Sequence, residues 1–290
     1  DPDVAATAPY RDLVFFGGTI APLQPQTAKT YSFGIDLKPP VIKGLTLGVT
    51  YYNVRFKNLV DSAPVGQGNL FYDNFPDQYR IYTQGQPAMQ AYLDQVRALV
   101  NNPQVLPANA STIYAIIDQR KQNLAGVFTD GMDIDLRYRH ETGFGSVYTS
   151  FNGNYILHFK RQLSQAAPFV EILTGNTTAD VARWRTSTTL GAEVGNLRGQ
   201  VTWNFVEGYP ITPITYGTGL TQTDVKAFNL FNLFFEYKVP GESRMLKDLA
   251  FTLNVDNVFD QAPPLYRATQ GFANGQTLGR LIKIGISKAF

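Results

Sequence analysis

Histidine occurs twice in the 290 residues and cysteine not at all. That alone removes disulfides, zinc–thiolate sites and cysteine nucleophiles, and it leaves too little imidazole for a Ser-His-Asp triad or a His-rich metal site. Neither a metal nor a cofactor is expected, and nothing pairs a nucleophile with a base, so the chain reads as a non-enzyme. Asp130, Asp133 and Asp135 are the densest carboxylates in a short window. Asp133 and Asp135 alternate onto one face with Arg137 and Arg139. That pattern predicts cross-strand charge pairing on a sheet, whereas a calcium loop needs a turn with glycine spacing. Glu193, Arg185, Arg198 and Gln200 extend the same polar lining. Groups that could contact a ligand fall in two places. Asn152, Asn154, Asn204 and His158 have the parity of the polar face. Phe71, Tyr72, Phe75, Tyr79 and Tyr82 form an aromatic cluster in a long connection, able to stack on a sugar or catecholate or simply to pack that loop.

The elements that must position these groups are long strands. Alternation with a period of two runs through Thr27 to Lys38, Gly44 to Lys57, Val127 to His140, Ser146 to Phe159, Trp184 to Val194, Leu197 to Val206, Lys226 to Tyr237, Asp248 to Asn257 and Leu278 to Phe290. Globular strands average about 5–6 residues, while a tilted strand crossing a bilayer needs about 9–11. Most of these stretches exceed the first figure and reach the second. The links Pro39 to Gly44, Glu141 to Gly145, Gly195 to Asn196 and Val239 to Lys247 are short. Those between them, Asn58 to Gly126, Lys160 to Arg183, Glu207 to Val225 and Val258 to Thr277, are long. Sorting of short turns to one side and long loops to the other is a property of outer-membrane barrels. In the longest loop, Met89, Leu93, Val96 and Val100 recur at helical spacing behind Pro87, which predicts a helix ended by Asn102–Pro103. A second short helix is expected after Ser111, through Ile113, Ile116 and Ile117. Arg11 to Gly18 could add one more short strand to the sheet.

Composition agrees with strands rather than helices as the spanning elements. Charged residues make up 17% and aromatics 13%, against about 25% charged in an average protein. No apolar run reaches the roughly 18 residues a transmembrane helix requires. Closed β-barrels are the other structure that satisfies its backbone in lipid. A net charge of +2 without a basic stripe gives no reason to expect nucleic acid. Trp184, Trp203, Tyr138, Tyr155 and Tyr237 have outward parity and suit an interfacial girdle, as does His140. About nine strands is an odd number for a single-chain barrel, so further strands are expected to complete the sheet.

Several segments resemble one family. The terminal stretch Gly279 to Phe290 is similar to the last strand of bacterial outer-membrane proteins, with Ile282, Ile284, Ile286 and Phe290 at alternate positions. Lys288 departs from that pattern, and a lysine at the rim can reach the headgroups. Leu23 to Gly34 (L-Q-P-Q-T-A-K-T-Y-S-F-G) resembles the L-x-P-E-x-S…Y-x-x-G motif of TonB-dependent transporter barrels, with Gln26 in place of Glu. Gln122 to Leu136 looks like the approach to a strand of that family, and Asn257-Val-Phe-Asp260 looks like its N-L-F-D corner.

The resemblance implies an all-β fold: an antiparallel transmembrane meander of about nine strands, part of a plugged barrel of about 22, with helices in one long extracellular loop. Residues 1–290 would be the C-terminal portion of that barrel, with the plug domain and the TonB-contacting segment outside them. Implied partners are outer-membrane lipid, the N-terminal barrel and plug portion, TonB through the N-terminal region, and the barrel-assembly machinery, for which the terminal apolar positions form the signal. The implied location is the bacterial outer membrane, long loops extracellular and C-terminus periplasmic. The implied function is active uptake of a scarce large nutrient: an iron–siderophore, a vitamin or an oligosaccharide. A passive porin and a soluble carbohydrate-binding β domain are the alternatives.

Overall fold

A computed structural model describes residues 12–20, 22–62, 79–81, 87–100, 104, 106–108, 110, 113–118, 120–162, 168–173, 181–216, 219–241, 249–266, 271–272 and 278–288. In chain order the first elements are β1 (Asp12–Phe16), β2 (Thr27–Leu37), β3 (Leu45–Asp61), β4 (Tyr79–Ile81), helix α1 (Pro87–Leu99) and β5 (Ile113–Asp118). Then come β6 (Gln122–Thr142), β7 (Gly145–Gln162), β8 (Val170–Glu171), β9 (Trp184–Val194) and β10 (Leu197–Val206). The last are β11 (Tyr209–Tyr216), β12 (Leu220–Val225), β13 (Phe228–Lys238), β14 (Leu249–Asp256), β15 (Leu265–Tyr266), β16 (Gly271–Phe272) and β17 (Leu281–Lys288). Two compact units divide the chain. One comprises Asp1–Lys29, Arg55–Val127 and Arg161–Val170; the other comprises Thr30–Val54, Phe128–Lys160 and Glu171–Phe290.

Most of the second unit is one sheet in the order β17-β14-β13-β10-β9-β7-β6-β3-β2, with β8 added against β7. Its nine long members are the nine predicted stretches, and their neighbours in space are their neighbours in the chain once short off-sheet hairpins are set aside. Each pair from β7 to β17 is antiparallel. Alternation divides the faces. On β17, Ile282, Ile284 and Ile286 are 60%, 80% and 69% exposed, while Lys283 on the other face pairs with Asp256 at 2.7 Å. On β2, Tyr31, Phe33, Ile35 and Leu37 are all exposed on one side. A face this apolar and this bare is one that water does not solvate in a free-standing protein. The turn between β9 and β10 is two residues long, and Gly195 takes φ +57°, a conformation favouring glycine. Among the described residues, β2 and β17 each have a neighbour on one side only.

Long connections carry strands of their own, which sequence patterning did not predict. Hairpins β11–β12 and β15–β16 form small separate sheets. Tyr209, Ile211, Val225, Tyr266 and Ala182 bury one another between them, and Gln222 Nε2 donates to the Leu265 carbonyl at 2.7 Å.

The first unit holds a three-stranded sheet, β1-β5-β4, with α1 beside it in the sequence. Leu93 and Val96 of α1 are fully buried with Val14, Phe16, Ile113 and Ile116, so the predicted helical face is the packed one. Two expectations are corrected here. Residues 113–118 form strand β5, not a second helix. Their isoleucines favour a strand, and β5 skips a residue against β1, Asp12 facing Ile113 and Leu13 facing Ala115. That irregularity brings Ile113 and Ile116 to one core at a spacing of three, which in sequence imitates a helix. The segment 11–18 does not extend the large sheet: β1 runs parallel to β5 in the small one. One α-helix, rather than several, lies in this connection among the described residues. Asp118 closes the strand by chelating Arg120 at 2.6–3.1 Å, and the guanidinium lies 4.4 Å from the Phe16 ring centre. The Asp118 hydrogen bond and charge hold Arg120 above the ordinary arginine value.

Asn123 ties three segments of this unit together. Its Nδ2 donates to the carbonyls of Gln24 (2.9 Å) and Asn58 (2.7 Å), and its Oδ1 accepts from Gln24 N at 2.7 Å. Asn58 itself has φ 57°, which asparagine tolerates. Asn123→Ala is expected to lower stability by about 1–3 kcal/mol, the cost of orphaning such groups. Faster limited proteolysis of the full-length protein within residues 1–127 would register it; unchanged cleavage would refute it.

Candidate functional site

The polar face of the large sheet brings Asn152, Asn154 and Asn204 to a single cleft of about 620 Å3. Asp36, Thr50, Asp133, Asp135, Arg185 and Ser187 also line it. Parity puts them there: β3, β6, β7, β9 and β10 each contribute residues two apart, and β2 contributes Asp36. Asn154 Nδ2 donates to Asp133 Oδ1 at 2.7 Å and lies 3.3 Å from Tyr52 Oη. Arg137 pairs with Asp135 at 3.3 Å, so at this point the charges pair within β6 rather than across strands as expected. Carboxylates, amides, hydroxyls and one guanidinium around open space can hydrogen-bond a polar solute from several sides. They offer no nucleophile held by a base.

Nearer the short turns the same face carries a second network. Arg139 bonds Glu141 and Glu193, both at 2.8 Å, the latter across β7. Arg198 lies 3.6 Å from Glu193 and donates to Tyr148 Oη at 3.0 Å; Tyr148 in turn donates to Gln200 at 2.9 Å. Tyr148 lies over Gly191 on the neighbouring strand, where any Cβ would strike the phenol ring. Glycine in a strand interior commonly marks such a close approach. These partners were legible by parity as polar, but their connections depend on strand stagger, which no local pattern encodes.

His158 departs from its expected place. Counting from Asn154 puts it on the cleft side, yet its Nδ1 lies 2.8 Å from Asp130 Oδ1. Asp130 shares parity with Met132, and it accepts from Tyr51 Oη at 2.9 Å; Tyr51 neighbours the exposed Tyr31 on the apolar face. The alternation of β7 is therefore interrupted between Tyr155, which touches Trp184 on the apolar side, and His158. Asn53, 2% exposed, completes this cluster with Nδ2 at 3.3 Å from Tyr51 Oη. Among the described residues, no group of three or more His, Cys, Asp or Glu could hold a metal ion.

On the apolar side aromatic residues gather in pairs and clusters. Trp184 meets Phe151 and Tyr155 at 6.2 and 5.6 Å, Trp203 stacks on Phe231 at 6.0 Å, and His140 stacks on Tyr138 at 6.2 Å. Tyr79 begins β4, its backbone paired with Ile117. Tyr72 and Phe75 lie outside the described residues, as do Phe71, Tyr82 and Phe290.

The family model for the TonB dependent receptor-like β-barrel matches residues 3–258. The chain belongs to the TonB-dependent receptor family. It is a family of receptors rather than enzymes. No curated protein matches the sequence. Among solved structures, this receptor chain is similar to the FrpB iron transporter from Neisseria meningitidis (F3-3 variant), with a TM-score of 0.52 and 12% identity over 93% of this chain and 32% of that one. It is also similar to the siderophore receptor PirA from Acinetobacter baumannii, with a TM-score of 0.53 and 11% identity over 91% of this chain and 32% of that one. At such identities the likeness shows a shared fold. The receptor chain spans 32% of the length of each of these two structures.

Proposed function

We propose that this chain forms the C-terminal portion of the wall of an outer-membrane barrel that takes up a scarce large solute with energy relayed by TonB. The observation that carries the reading is the two-faced sheet: bare Ile282, Ile284 and Ile286 on one side, paired charges on the other. Such a sheet is stable where hydrocarbon covers one face and water the other. Its single-sided edge strands would pair with barrel strands from the rest of the protein, because an open edge in lipid leaves backbone groups unsatisfied. A plug would fill the lumen, and the segment reaching TonB would belong to the N-terminal region. The long connections would face outward and the short turns and the C-terminus the periplasm. Ile282, Ile284, Ile286 and Phe290 would present the terminal strand to the assembly machinery.

The solute would be an iron–siderophore, a vitamin or an oligosaccharide, held by Asn152, Asn154 and Asn204 in the lumen, with Tyr72, Phe75 and Tyr79 contributing from the loop side. Hydrogen bonds of this kind contribute about 0.5–1.5 kcal/mol each, or roughly two- to tenfold in affinity. Binding of ferric siderophores, cobalamin and oligosaccharides to the full-length receptor is the test. The triple variant Asn152→Ala, Asn154→Ala, Asn204→Ala is expected to weaken the bound class at least tenfold. An unchanged affinity would remove the cleft from the pathway. Uptake that persists without TonB would overturn active transport and favour a passive pore.

A further inference from the structure

A second hollow, of about 390 Å3, opens on the polar face of the large sheet among β10, β13, β14 and β17. That volume falls within the range of about 300–1,000 Å3 usual for small-molecule pockets. It shares Asn204 and Val206 with the solute cleft, so the two adjoin at β10. Strand register shows the chemistry changing there. One cross-strand row runs Asn152, Ser187, Asn204 and then Leu230; the next runs Asn154, Arg185, Val206 and then Phe228. Leu278 and Leu281 complete an apolar lining with Val206, Phe228 and Leu230. Polar groups at this end are engaged with one another. Lys283 Nζ lies 2.7 Å from Asp256 Oδ2, and Asn232 Oδ1 accepts from the Asn257 amide at 2.9 Å. Asn204, at the junction, has no side-chain partner among the described residues. Leu278 and Leu281 are 76% and 41% exposed. Bare apolar side chains gathered on an otherwise polar face mark a place where something apolar sits.

We propose that the solute is amphiphilic. Its polar core occupies the cleft, an aryl or short alkyl arm lies in the hollow, and Asn204 bonds the joint between them. Continuity of the hollow with the cleft through Asn204 and Val206 makes one molecule spanning both the occupant, rather than a protein segment seated in the hollow alone. This inference deepens the uptake reading above and rests on it.

The test offers the full-length receptor three matched pairs: a ferric linear trihydroxamate with and without a benzoyl group, maltohexaose with and without a phenyl aglycone, and cobalamin with phenyl or methyl as its upper ligand. Each methylene's worth of apolar surface removed from water is worth roughly fourfold in affinity. The phenyl-bearing member of the pair that binds is therefore expected to bind about tenfold tighter or more, even when its ring is only partly covered. Leu230→Asn and Leu281→Asn are each expected to cut that ratio to about twofold, since each replaces apolar lining with an amide. The ratio within a pair is the quantity read, so loss of folded receptor, which lowers both members alike, does not imitate the effect. Equal affinity within the pair that binds would overturn the arm, leave the uptake reading standing and assign the hollow to protein packing. A ratio unchanged in both variants would overturn the hollow as the place where the arm lies. Binding of no member of any pair would overturn the uptake reading and this inference together.

Discussion

Arginine in place of Val201 is expected to destabilise the receptor by about 2–4 kcal/mol, the range measured for cations at mid-membrane on the lipid face of a barrel. Val201 lies midway along β10, between Leu190 of β9 and Leu233 of β13. Leu190 is 58% exposed, so no protein group waits to receive a guanidinium there. The neighbouring Thr202→Arg change is the control. Thr202 points to the polar face, where its hydroxyl lies 3.0 Å from that of Thr189. Losing that contact costs about 0.5–1.5 kcal/mol, and the new charge meets water. Urea unfolding of the full-length protein in lipid vesicles reads both. Equal tolerance of the two substitutions would mean that hydrocarbon does not cover the Val201 face.

The second large effect is expected at the corner after β14. Asn257 is 6% exposed with φ 54°. Its side chain closes a ring with Gln261, donating to the carbonyl at 3.0 Å and accepting from the amide at 2.8 Å. Its own amide donates to Asn232 Oδ1 at 2.9 Å. Asp260, also at φ 54°, then accepts from the Arg280 amide at 2.8 Å and so fixes where β17 begins. Asn257→Ala removes both side-chain bonds and places a Cβ without compensation in a left-handed conformation. Together these amount to about 2–4 kcal/mol. Asn257→Gly recovers only the backbone share and should fall between. Heat-induced unfolding on gels and cleavage by protease after β14 would measure the series. An Asn257→Ala protein as resistant as wild type would show that the corner does not hold the last strand.

Strand β9 and strand β10 match their expected limits because each alternates to its last residue and a glycine turn separates them. β6 and β7 run longer than expected. Beyond Asp130 and Tyr155 the sequence no longer alternates apolar with polar, yet backbone pairing continues. The pieces missed altogether, β4, β8, β11, β12, β15 and β16, are too short or too mixed to show a period. The family-like segments were legible as text rather than as chemistry. Only the coordinates reveal that Gln24 and Asn123, from two such segments, bond each other, and that Asn257 and Asp260 bracket a corner. For the cleft, parity sufficed to group Asn152, Asn154 and Asn204, because a period of two leaves a residue only two sides to face. It failed for His158, where β7 slips a step.

Spatial succession in the large sheet follows chain succession, so each strand finds its mate through a nearby bend and none waits for a distant part of the polypeptide. An excursion such as the one from Asp61 to Gln122 can then hold an entire small fold without disturbing the pairing of β3 with β6. Doubling the length of a flexible excursion adds only about 0.6 kcal/mol of closure entropy. The long connections of this sheet can therefore change length and content while the hydrogen-bonded frame stays in register.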